Sequence, residues 1–313
     1  MLKQRYVKEV NMRNIAKKTP LDVLPDSMRE NIMEELFEDE KIFEIRIRVK
    51  RRVFVITDKR EFEICCFVKE DTICEILEYA TCHSLYAYEE AVRNGYITME
   101  GGHRIGMAGQ VVIENNTVKT IKNISSLNIR FANEITGVAD ELLKYVIDDG
   151  KICNTLIVSP PGYGKTTVLR DLVRITSGKK INNHNLNVAV IDERSEIAAS
   201  YNGVPQNDVG MNTDVLDGCP KAEGMIMVIR ALAPDILVID ELGLENDVLS
   251  LKYALNCGCH VFATIHGESI EGAMRRPVVK DIFEDRLFDV YIVLGEKKGV
   301  VEGIYNADLI RIG

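Results

Sequence analysis

Between an apolar strand pattern and a helical pattern, this 313-residue chain carries a short segment that limits its possible folds more than any other. The segment consists of Ser159, Pro160, Pro161, Gly162, Tyr163, Gly164, Lys165, Thr166 and Thr167. Residues 156–158 before it are all apolar, and residues 168–173 after it carry apolar side chains at helical spacing. A glycine-rich turn between a strand and a helix, ending in Lys and a hydroxyl residue, is the pattern of a phosphate-binding loop. The alternative is an ordinary Gly-Pro turn before a helix.

Each position of this segment suits a nucleotide phosphate. Gly162 and Gly164 allow the backbone to curl so that successive N–H groups face phosphate oxygens, and the following helix adds its favourable dipole. Lys165 is expected at the β- and γ-phosphates, and the hydroxyl of Thr166 at Mg²⁺, which prefers oxygen ligands. Ser159 replaces the first glycine of the general motif, but the inner glycines, the lysine and the threonine remain. The segment therefore predicts binding of ATP with Mg²⁺.

A second apolar run, at residues 236–239, ends in two carboxylates. In phosphoryl-transfer sites such a pair divides the work between a metal-side residue and a residue that positions the attacking water. We predict that Asp240 serves the metal and that Glu241 activates water. Two carboxylates that only cap the next helix are the alternative.

Two further strand patterns end in polar residues. Residues 187–191 lead to Asp192 and Glu193, so Glu193 is a rival or a helper of Glu241, unless the strand end is only salt-bridged. Residues 260–265 lead to His266, where an imidazole with the nearby Thr264 would sense the γ-phosphate, unless the histidine is only structural. Ligands in open α/β sheets bind at the carboxyl ends of the strands, so we expect these residues at one edge.

The distribution of strand and helix patterns predicts two domains. Residues 138–313 alternate apolar strands, at 155–158, 187–191, 236–239, 260–265 and 290–294, with helical patterns, which indicates an α/β nucleotide-binding core with a mainly parallel sheet. Residues 1–131 predict a smaller α+β domain, with helices at 20–38 and 71–94 and with strands that include 43–49. Residues 132–137 are a predicted linker, followed by a helix at 138–147.

Composition narrows the class of partner. The formal net charge is −9, which argues against a binding mode that depends on broad neutralisation of nucleic-acid phosphates. Nucleic acid is therefore an unlikely partner, with a basic run at 46–52 as its best candidate surface. No apolar stretch reaches the length of a membrane span and the N-terminus lacks the pattern of a signal peptide, so we expect a cytoplasmic protein that acts at membranes only through partners.

Eight cysteines occur without a paired CxxC motif. Cys257 and Cys259 beside His260 resemble a metal site, but they lead directly into an apolar strand. We interpret these cysteines as buried reduced thiols, with metal binding as the alternative.

Six segments give the chain a resemblance to the stage III sporulation protein AA family, which is itself similar to the secretion and pilus-retraction ATPases of the RecA-like class. These segments are residues 44–48, 101–106, 127–130, 159–167, 192–196 and 214–224. The resemblance covers most of the chain, and Ser-Pro-Pro before the glycines is usual in that family, so Ser159 agrees with it.

The resemblance implies a RecA-like fold and a Walker B pair at Asp240 and Glu241. It also likens Asp192 and Glu193 to the acidic box of secretion ATPases, and His266 to their histidine box. It implies a homo-hexamer on the mother-cell side of the forespore septum, which powers a channel complex of membrane proteins during endospore formation. A nucleic-acid-directed motor and a slowly hydrolysing assembly scaffold remain the alternatives.

Ring ATPases of this type usually bring an arginine to the nucleotide from a neighbouring subunit or domain. The candidates here are Arg104, Arg130, Arg194 and Arg230. A solvated or salt-bridged arginine is an equally good interpretation of any one of them.

Overall fold

The computed structural model describes residues 19–313 apart from 85–88, 90, 94, 115, 296 and 297. The chain divides into two compact units, with the boundary between Asn133 and Glu134. This boundary lies within the segment 132–137. Each unit has its own hydrophobic core, as expected for a chain of this length.

The first unit is a six-stranded antiparallel sheet with helices packed on one face. Its strands are β1 (Ile42–Arg48), β2 (Arg52–Thr57), β3 (Glu61–Phe67), β4 (Tyr96–Thr98), β5 (Arg104–Glu114) and β6 (Thr117–Arg130), in the order β3-β2-β1-β6-β5-β4. The α-helices against it are α1 (Asp26–Glu35) and α2 (Glu70–Ala80). Along β1, Ile45 and Ile47 are fully buried while the intervening charged residues face away from the core, which explains the alternation in the sequence.

The helix boundaries in this unit differ from the predictions. The predicted helix at 20–38 is a 3₁₀ turn (Pro20–Val23) followed by α1, because Pro25 has no N–H to continue a helical ladder and instead caps α1. The predicted helix at 71–94 ends at Ala80. Residues 91–93 are helical again, and part of the predicted span lies outside the described residues.

An ion-pair cluster joins Glu40 to the β2–β3 turn. Arg60 donates hydrogen bonds to both carboxylate oxygens of Glu40, at 2.9 and 3.2 Å. The guanidinium also lies over the rings of Phe37 and Phe62, 4.2 and 4.5 Å from their centroids. Chiefly through the hydrogen bond from Arg60, the pKa of Glu40 is lowered from 4.5 to about 2.

Replacing Arg60 by Met is expected to lower the stability of the protein at pH 7. A carboxyl group whose pKa falls on folding contributes stability above its unfolded pKa and loses it as the pH falls through its folded pKa. The difference between wild type and Arg60→Met should therefore be constant above about pH 5 and shrink between 4.5 and about 2. Denaturant unfolding at several pH values measures this, with Lys59→Met as the control at an exposed neighbouring position. A difference that does not change with pH would contradict it.

The second unit is built on a seven-stranded sheet in which only the last strand is antiparallel to its neighbour. The strands are β9 (Thr155–Ser159), β12 (Val188–Asp192), β13 (Thr213–Asp217), β14 (Ile236–Ile239), β15 (His260–His266), β16 (Val290–Leu294) and β17 (Val301–Asn306), in the order β13-β12-β14-β15-β9-β16-β17. Two short ribbons accompany it, β7 (Ile147–Asp148) with β8 (Lys151–Ile152) and β10 (Lys180–Ile181) with β11 (His184–Asn185).

Helices cover both faces of this sheet. They are α3 (Leu143–Val146), α4 (Lys165–Thr176), α5 (Lys221–Leu232), α6 (Glu245–Asn256), α7 (Ile270–Met274) and α8 (Pro277–Glu284). Along β14, Leu237 and Ile239 pack in the cluster that includes residues of α5 and α6, whereas Ile236 and Val238 pack in the cluster that includes residues of α4. Because both faces are buried, the strands consist of continuous apolar runs.

Three details of the second unit depart from the predictions. The predicted helix at 138–147 is a short 3₁₀ turn (Asp140–Leu142) followed by one turn of α-helix, and the edge strands β13 and β17 had not been predicted. Cys259 is buried as predicted, but Cys257 is exposed.

Among the described residues, no cluster of His, Cys, Asp and Glu is arranged to hold a metal ion, and no helix there is long and apolar enough to span a bilayer.

Candidate nucleotide-binding site

The glycine-rich loop leaves β9 at the carboxyl edge of the parallel sheet. Gly162 and Gly164 have φ values of +83° and +90°, a region that residues with a Cβ rarely adopt. Ser159, at the end of β9, is fully buried and accepts a hydrogen bond on its carbonyl from the N–H of Gly267, which follows β15. The loop is thereby fixed between two neighbouring strand ends.

Helix α4 begins at Lys165, directly after the loop. The N–H groups of its first turn have no acceptor within the helix, so they remain available to an anion. Lys165 is only 9% exposed, and no described residue accepts a hydrogen bond or an ion pair from its ammonium. A largely buried cation without a counter-charge favours a negatively charged ligand at this position.

The remaining residues of the loop surround this helix start. Pro160 and Tyr163 are half-buried, and Pro161 and Gly162 are exposed. The carbonyl of Tyr163 accepts a hydrogen bond of 2.8 Å from Gly299, in the turn between β16 and β17. Thr167 lies in the first turn of α4 and is half-buried. The loop is thus supported by a turn whose contact with it the sequence had not predicted.

The hydroxyl of Thr166 connects this loop to the end of β14. It donates a hydrogen bond of 2.7 Å to Oδ2 of Asp240. The other carboxylate oxygen, Oδ1, accepts a hydrogen bond from the hydroxyl of Thr264 on β15. The two residues that were predicted to serve Mg²⁺, Thr166 and Asp240, are therefore in direct contact although 74 positions separate them in the sequence.

Glu241 occupies a strained backbone position beside this pair. Its φ is +61°, which is uncommon for a residue other than Gly, Asn or Asp. Backbone strain of this kind is concentrated at functional sites. Its carboxylate oxygens are engaged on both sides, by Nε2 of His266 at 2.8 Å and by Nη1 of Arg194 at 3.3 Å.

His266 is the last residue of β15 and lies next to the phosphate loop in the sheet, paired with Ser159. Its Nδ1 is buried and has no hydrogen-bond partner among the residues that the structure describes. Gly267, which follows it, has no room for a side chain, since a Cβ there would lie 3.0 Å from Val158 and 3.1 Å from Ala273. The imidazole is held at the site with one ring nitrogen on Glu241 and the other unused.

The two carboxylates at the end of β12, those of Asp192 and Glu193, lie in different environments. The carboxylate of Asp192 is buried and accepts the backbone N–H groups of Glu196, Ile197 and Ala198, at 2.8 to 3.0 Å. Burial nevertheless raises its pKa above the ordinary value. The carboxylate of Glu193 instead forms an ion pair with Lys221, the first residue of α5. Asp192 therefore anchors the loop after β12, and both residues line a cleft.

This cleft lies between the ends of β12 and β14. Its lining includes Glu193, Lys221, Asp240 and Glu241. Beside it, Arg170 of α4 donates to the carbonyl oxygens of Glu196 and Ile197, and burial lowers the pKa of its guanidinium. Arg170 ties the phosphate-loop helix to the loop after β12. Neither Lys221 nor Arg170 had been singled out from the sequence, because each acts on a residue more than 25 positions away.

The four candidate arginines are found in different places. Arg194 contacts Glu241 within the second unit. Arg230 lies on α5 and is exposed. Arg104 and Arg130 belong to the first unit, where they are cross-strand neighbours, with Arg104 over the ring of Tyr96 and Arg130 at 3.9 Å from Glu44. Of the four, only Arg194 is placed beside a predicted site residue of its own unit.

These residues fit a nucleotide with Mg²⁺. The uncompensated Lys165 and the free N–H groups at the start of α4 suit phosphate. Thr166 and Asp240 together offer a hydroxyl and a carboxylate, which are the hard oxygen ligands that Mg²⁺ prefers, and Mg²⁺ commonly takes only one or two protein ligands. A single carboxylate at this position is therefore sufficient.

Solved structures with the same fold include an ATPase and a pilus retraction motor. The Legionella pneumophila ATPase DotB superposes with a TM-score of 0.55 at 14% identity, covering 95% of this chain and 80% of its own. The pilus retraction motor PilT, solved with bound ADP, superposes with a TM-score of 0.57 at 15% identity, covering 88% and 78%. The predicted fold class, a RecA-like P-loop core with a mainly parallel sheet preceded by a smaller α+β domain, is confirmed.

The sequence relationship is closer. Residues 15–312 match the family described as "Sporulation stage III, protein AA". Stage III sporulation protein AA of Bacillus subtilis (strain 168) is 41% identical over 291 residues, which covers 92% of this chain and 94% of that protein. The resemblance drawn from the motifs is confirmed, and the chain belongs to the stage III sporulation protein AA family.

Proposed function

We propose that this protein hydrolyses ATP in the presence of Mg²⁺ and uses the hydrolysis to drive a membrane complex during sporulation. The observation that carries the proposal is the hydrogen bond between Thr166 of the phosphate loop and Asp240 at the end of β14. It joins the two predicted Mg²⁺ ligands beside a buried lysine whose ammonium has no ion-pair partner among the described residues. The alternative, an ordinary Gly-Pro turn before a helix, does not explain a hydroxyl–carboxylate hydrogen bond beside a buried lysine.

In this proposal the loop residues bind and orient the substrate. The backbone of residues 159–167 and the ammonium of Lys165 hold the phosphates, which fixes the γ-phosphoryl group for an in-line attack. Thr166 and Asp240 would hold Mg²⁺, which supplies neutralisation of the charge that develops on the phosphate oxygens. Glu241 accepts a proton from the attacking water once its carboxylate is released from Arg194 or His266.

His266 and Glu193 have supporting roles. Because one nitrogen of His266 is bound to Glu241, this imidazole orients the carboxylate and links it to the strand beside the phosphate loop. Glu193 lines the same cleft in an ion pair with Lys221, whereas Glu241 directly follows Asp240 and contacts His266 beside the phosphate loop, so Glu241 is the first candidate for water activation and Glu193 the second. Arg194 supplies a positive charge on the other side of Glu241.

Removal of Mg²⁺ tests the proposal. Steady-state hydrolysis of ATP is expected with Mg²⁺ and is expected to fall to background in excess EDTA, because phosphate charge then lacks its neutralising cation. The oligomeric state should be recorded in each sample, since a homo-hexamer is part of the proposal. Absence of Mg²⁺-dependent turnover from every assembly state, including samples with membrane partners, would leave a nucleotide-dependent scaffold as the function.

The wider role rests on the relatives. DotB is described as an ATPase and PilT as a pilus retraction motor, and the Bacillus relative is a stage III sporulation protein. By analogy, we propose a homo-hexamer in the mother-cell cytoplasm, bound to membrane proteins of a channel complex at the forespore septum. In this proposal, ATP hydrolysis in the second unit would move the first unit, and this movement would be the mechanical work that the protein performs.

A nucleic-acid-directed motor is the second candidate. It is favoured by the turn between β1 and β2, where Arg48, Lys50, Arg51 and Arg52 are all exposed. The net charge of −9 counts against it. Stimulation of ATP hydrolysis by DNA that weakens with added salt would select this candidate over the membrane-complex motor.

A further inference from the structure

We infer that Thr264 is a positioning residue for the ATPase reaction, which it serves by fixing Asp240 and Glu241 together from the neighbouring strand. The inference rests on the proposed function and extends it to a residue that does not contact substrate. Thr264 is inferred to fix the geometry of two carboxylates, that of Asp240 on the metal side and that of Glu241, which activates water.

Three hydrogen bonds connect Thr264 to the segment after β14. Its hydroxyl donates to Oδ1 of Asp240 and accepts the backbone N–H of Glu241 at 2.8 Å. Its carbonyl accepts the backbone N–H of Leu242, also at 2.8 Å. One residue of β15 therefore binds all three consecutive residues that leave β14.

The surroundings show that this arrangement is specific. Thr264 is fully buried, and its two neighbours on the same side of β15 are Phe262, which packs in the apolar cluster that includes residues of α4, and His266 at the site. A buried hydroxyl is costly unless it is hydrogen-bonded, and here both its donor and its acceptor functions are used. Valine would fill the same volume and pack with the same cluster. The hydroxyl is therefore explained by its contacts with Asp240 and Glu241 rather than by packing.

The hydrogen bonds have two consequences for the site. With Thr166 on one oxygen and Thr264 on the other, the carboxylate of Asp240 can adopt only one orientation. The N–H of Glu241 is held while its backbone has a φ of +61°, so the direction in which its side chain leaves the strand is fixed toward His266. Displacement of a positioned group by about 1 Å can cost about 100-fold in rate.

Thr264→Val and Thr264→Ser test the inference as a pair. Valine removes the hydroxyl at nearly constant volume, and serine keeps it. We expect Thr264→Val to reduce kcat at least about 10-fold with little change in KM, and Thr264→Ser to retain kcat within about 3-fold. The control is Thr155→Val on β9, which also removes a hydroxyl from a fully buried threonine of the same sheet, one that donates only to the carbonyl of Cys153. Thr155→Val should destabilise the protein without changing kcat.

A second measurement does not depend on turnover. Binding of ADP, followed by fluorescence of a labelled analogue, should require at least about 10-fold more Mg²⁺ in Thr264→Val than in wild type, because Asp240 is no longer held in one orientation. If the wild-type protein does not hydrolyse ATP, the proposed function is contradicted. The Mg²⁺ concentration required for ADP binding would still decide whether Thr264 positions Asp240. If Thr264→Val does not fold, Thr264→Cys, with its weaker donor, is tested in the same way.

Two results would overturn the inference. One is a Thr264→Val variant whose kcat and Mg²⁺ requirement both match wild type below its unfolding temperature. The other is a Thr264→Ser variant as impaired as Thr264→Val, which would assign the effect to packing of the methyl group.

Discussion

The variant Glu241→Gln is expected to bind ATP with nearly unchanged affinity and to lose about 100- to 1,000-fold in kcat. Glutamine has the shape of glutamate and keeps an oxygen that can accept from His266 or Arg194, so the site should retain its geometry. It cannot take a proton from water. Binding and turnover should therefore separate, which steady-state hydrolysis combined with equilibrium binding of a labelled nucleotide will show.

The comparison that makes this result informative is Glu193→Gln. Glu193 lines the same cleft, where its carboxylate forms an ion pair with Lys221. A larger loss in Glu193→Gln than in Glu241→Gln would transfer the water-activating role to Glu193. Glu245→Gln, an exposed carboxylate at the start of α6, controls for the change of charge alone. Equal turnover in wild type and Glu241→Gln would exclude Glu241 as the base.

Glu241→Gln also probes the resting arrangement of the site. Both of its carboxylate oxygens are engaged by positively charged or imidazole side chains in this structure, so a water molecule must compete with Arg194 and His266 for them. A slowly hydrolysing protein would be the consequence if neither partner moves. The rate of ATP hydrolysis should be measured on assembled and on dilute wild-type protein. A rate that rises on assembly would indicate that the partners of Glu241 move, which the loss of an essential group would not produce.

The core of the site could be predicted from the sequence because it depends on strand ends. In a parallel sheet, the residues that follow β9 and β14 reach the same edge, whatever the intervening chain does. The contact of Thr166 with Asp240 follows from that rule together with the motif at 159–167. The buried apolar runs of the central strands were recognisable for the same reason, since both faces of the sheet are covered.

What the sequence could not predict depends on contacts between distant segments. Asp192 was expected with Glu193 at the edge of the sheet, and both line the cleft there, but the carboxylate of Asp192 also accepts three backbone N–H groups of the loop that follows it. Short motifs do not encode which of two adjacent carboxylates points inward. The partner of Glu193, Lys221, is 28 residues away, and nothing local distinguishes it from other lysines.

Edge strands and short helices were the weakest predictions for a related reason. The strand β13 contains two aspartates among its five residues and is only partly buried, so it lacks the continuous apolar run of the central strands. The segment at 138–147 has a helical pattern, but it is held by a hydrogen bond from Ala139 to the buried carboxylate of Asp171 on α4. Tertiary contacts, rather than local propensity, decide both cases.

Lys165→Ala is expected to abolish measurable nucleotide binding, with an increase of about 100-fold or more in the Kd for ADP. The ammonium of Lys165 is largely buried and has no partner among the described residues, so its interaction with phosphate is formed without first breaking an ion pair within the protein. Charge-assisted hydrogen bonds contribute about 1.5–3 kcal/mol each, and each 1.4 kcal/mol is a factor of about 10 in affinity. Titration calorimetry with ADP and Mg²⁺ measures the effect.

The matched control is Lys179→Ala, an exposed lysine just beyond the other end of α4. It removes the same charge from the same region of the chain, so the net charge of the two variants is identical. Binding that is lost in Lys165→Ala and kept in Lys179→Ala would assign the effect to the phosphate loop and not to the overall charge. Because Lys165 has no ion-pair partner in the described part of the chain, its removal should not lower the unfolding temperature of the nucleotide-free protein. Unchanged ADP affinity in a folded Lys165→Ala variant would contradict the phosphate site itself, and with it every role assigned to Thr166, Asp240 and Glu241.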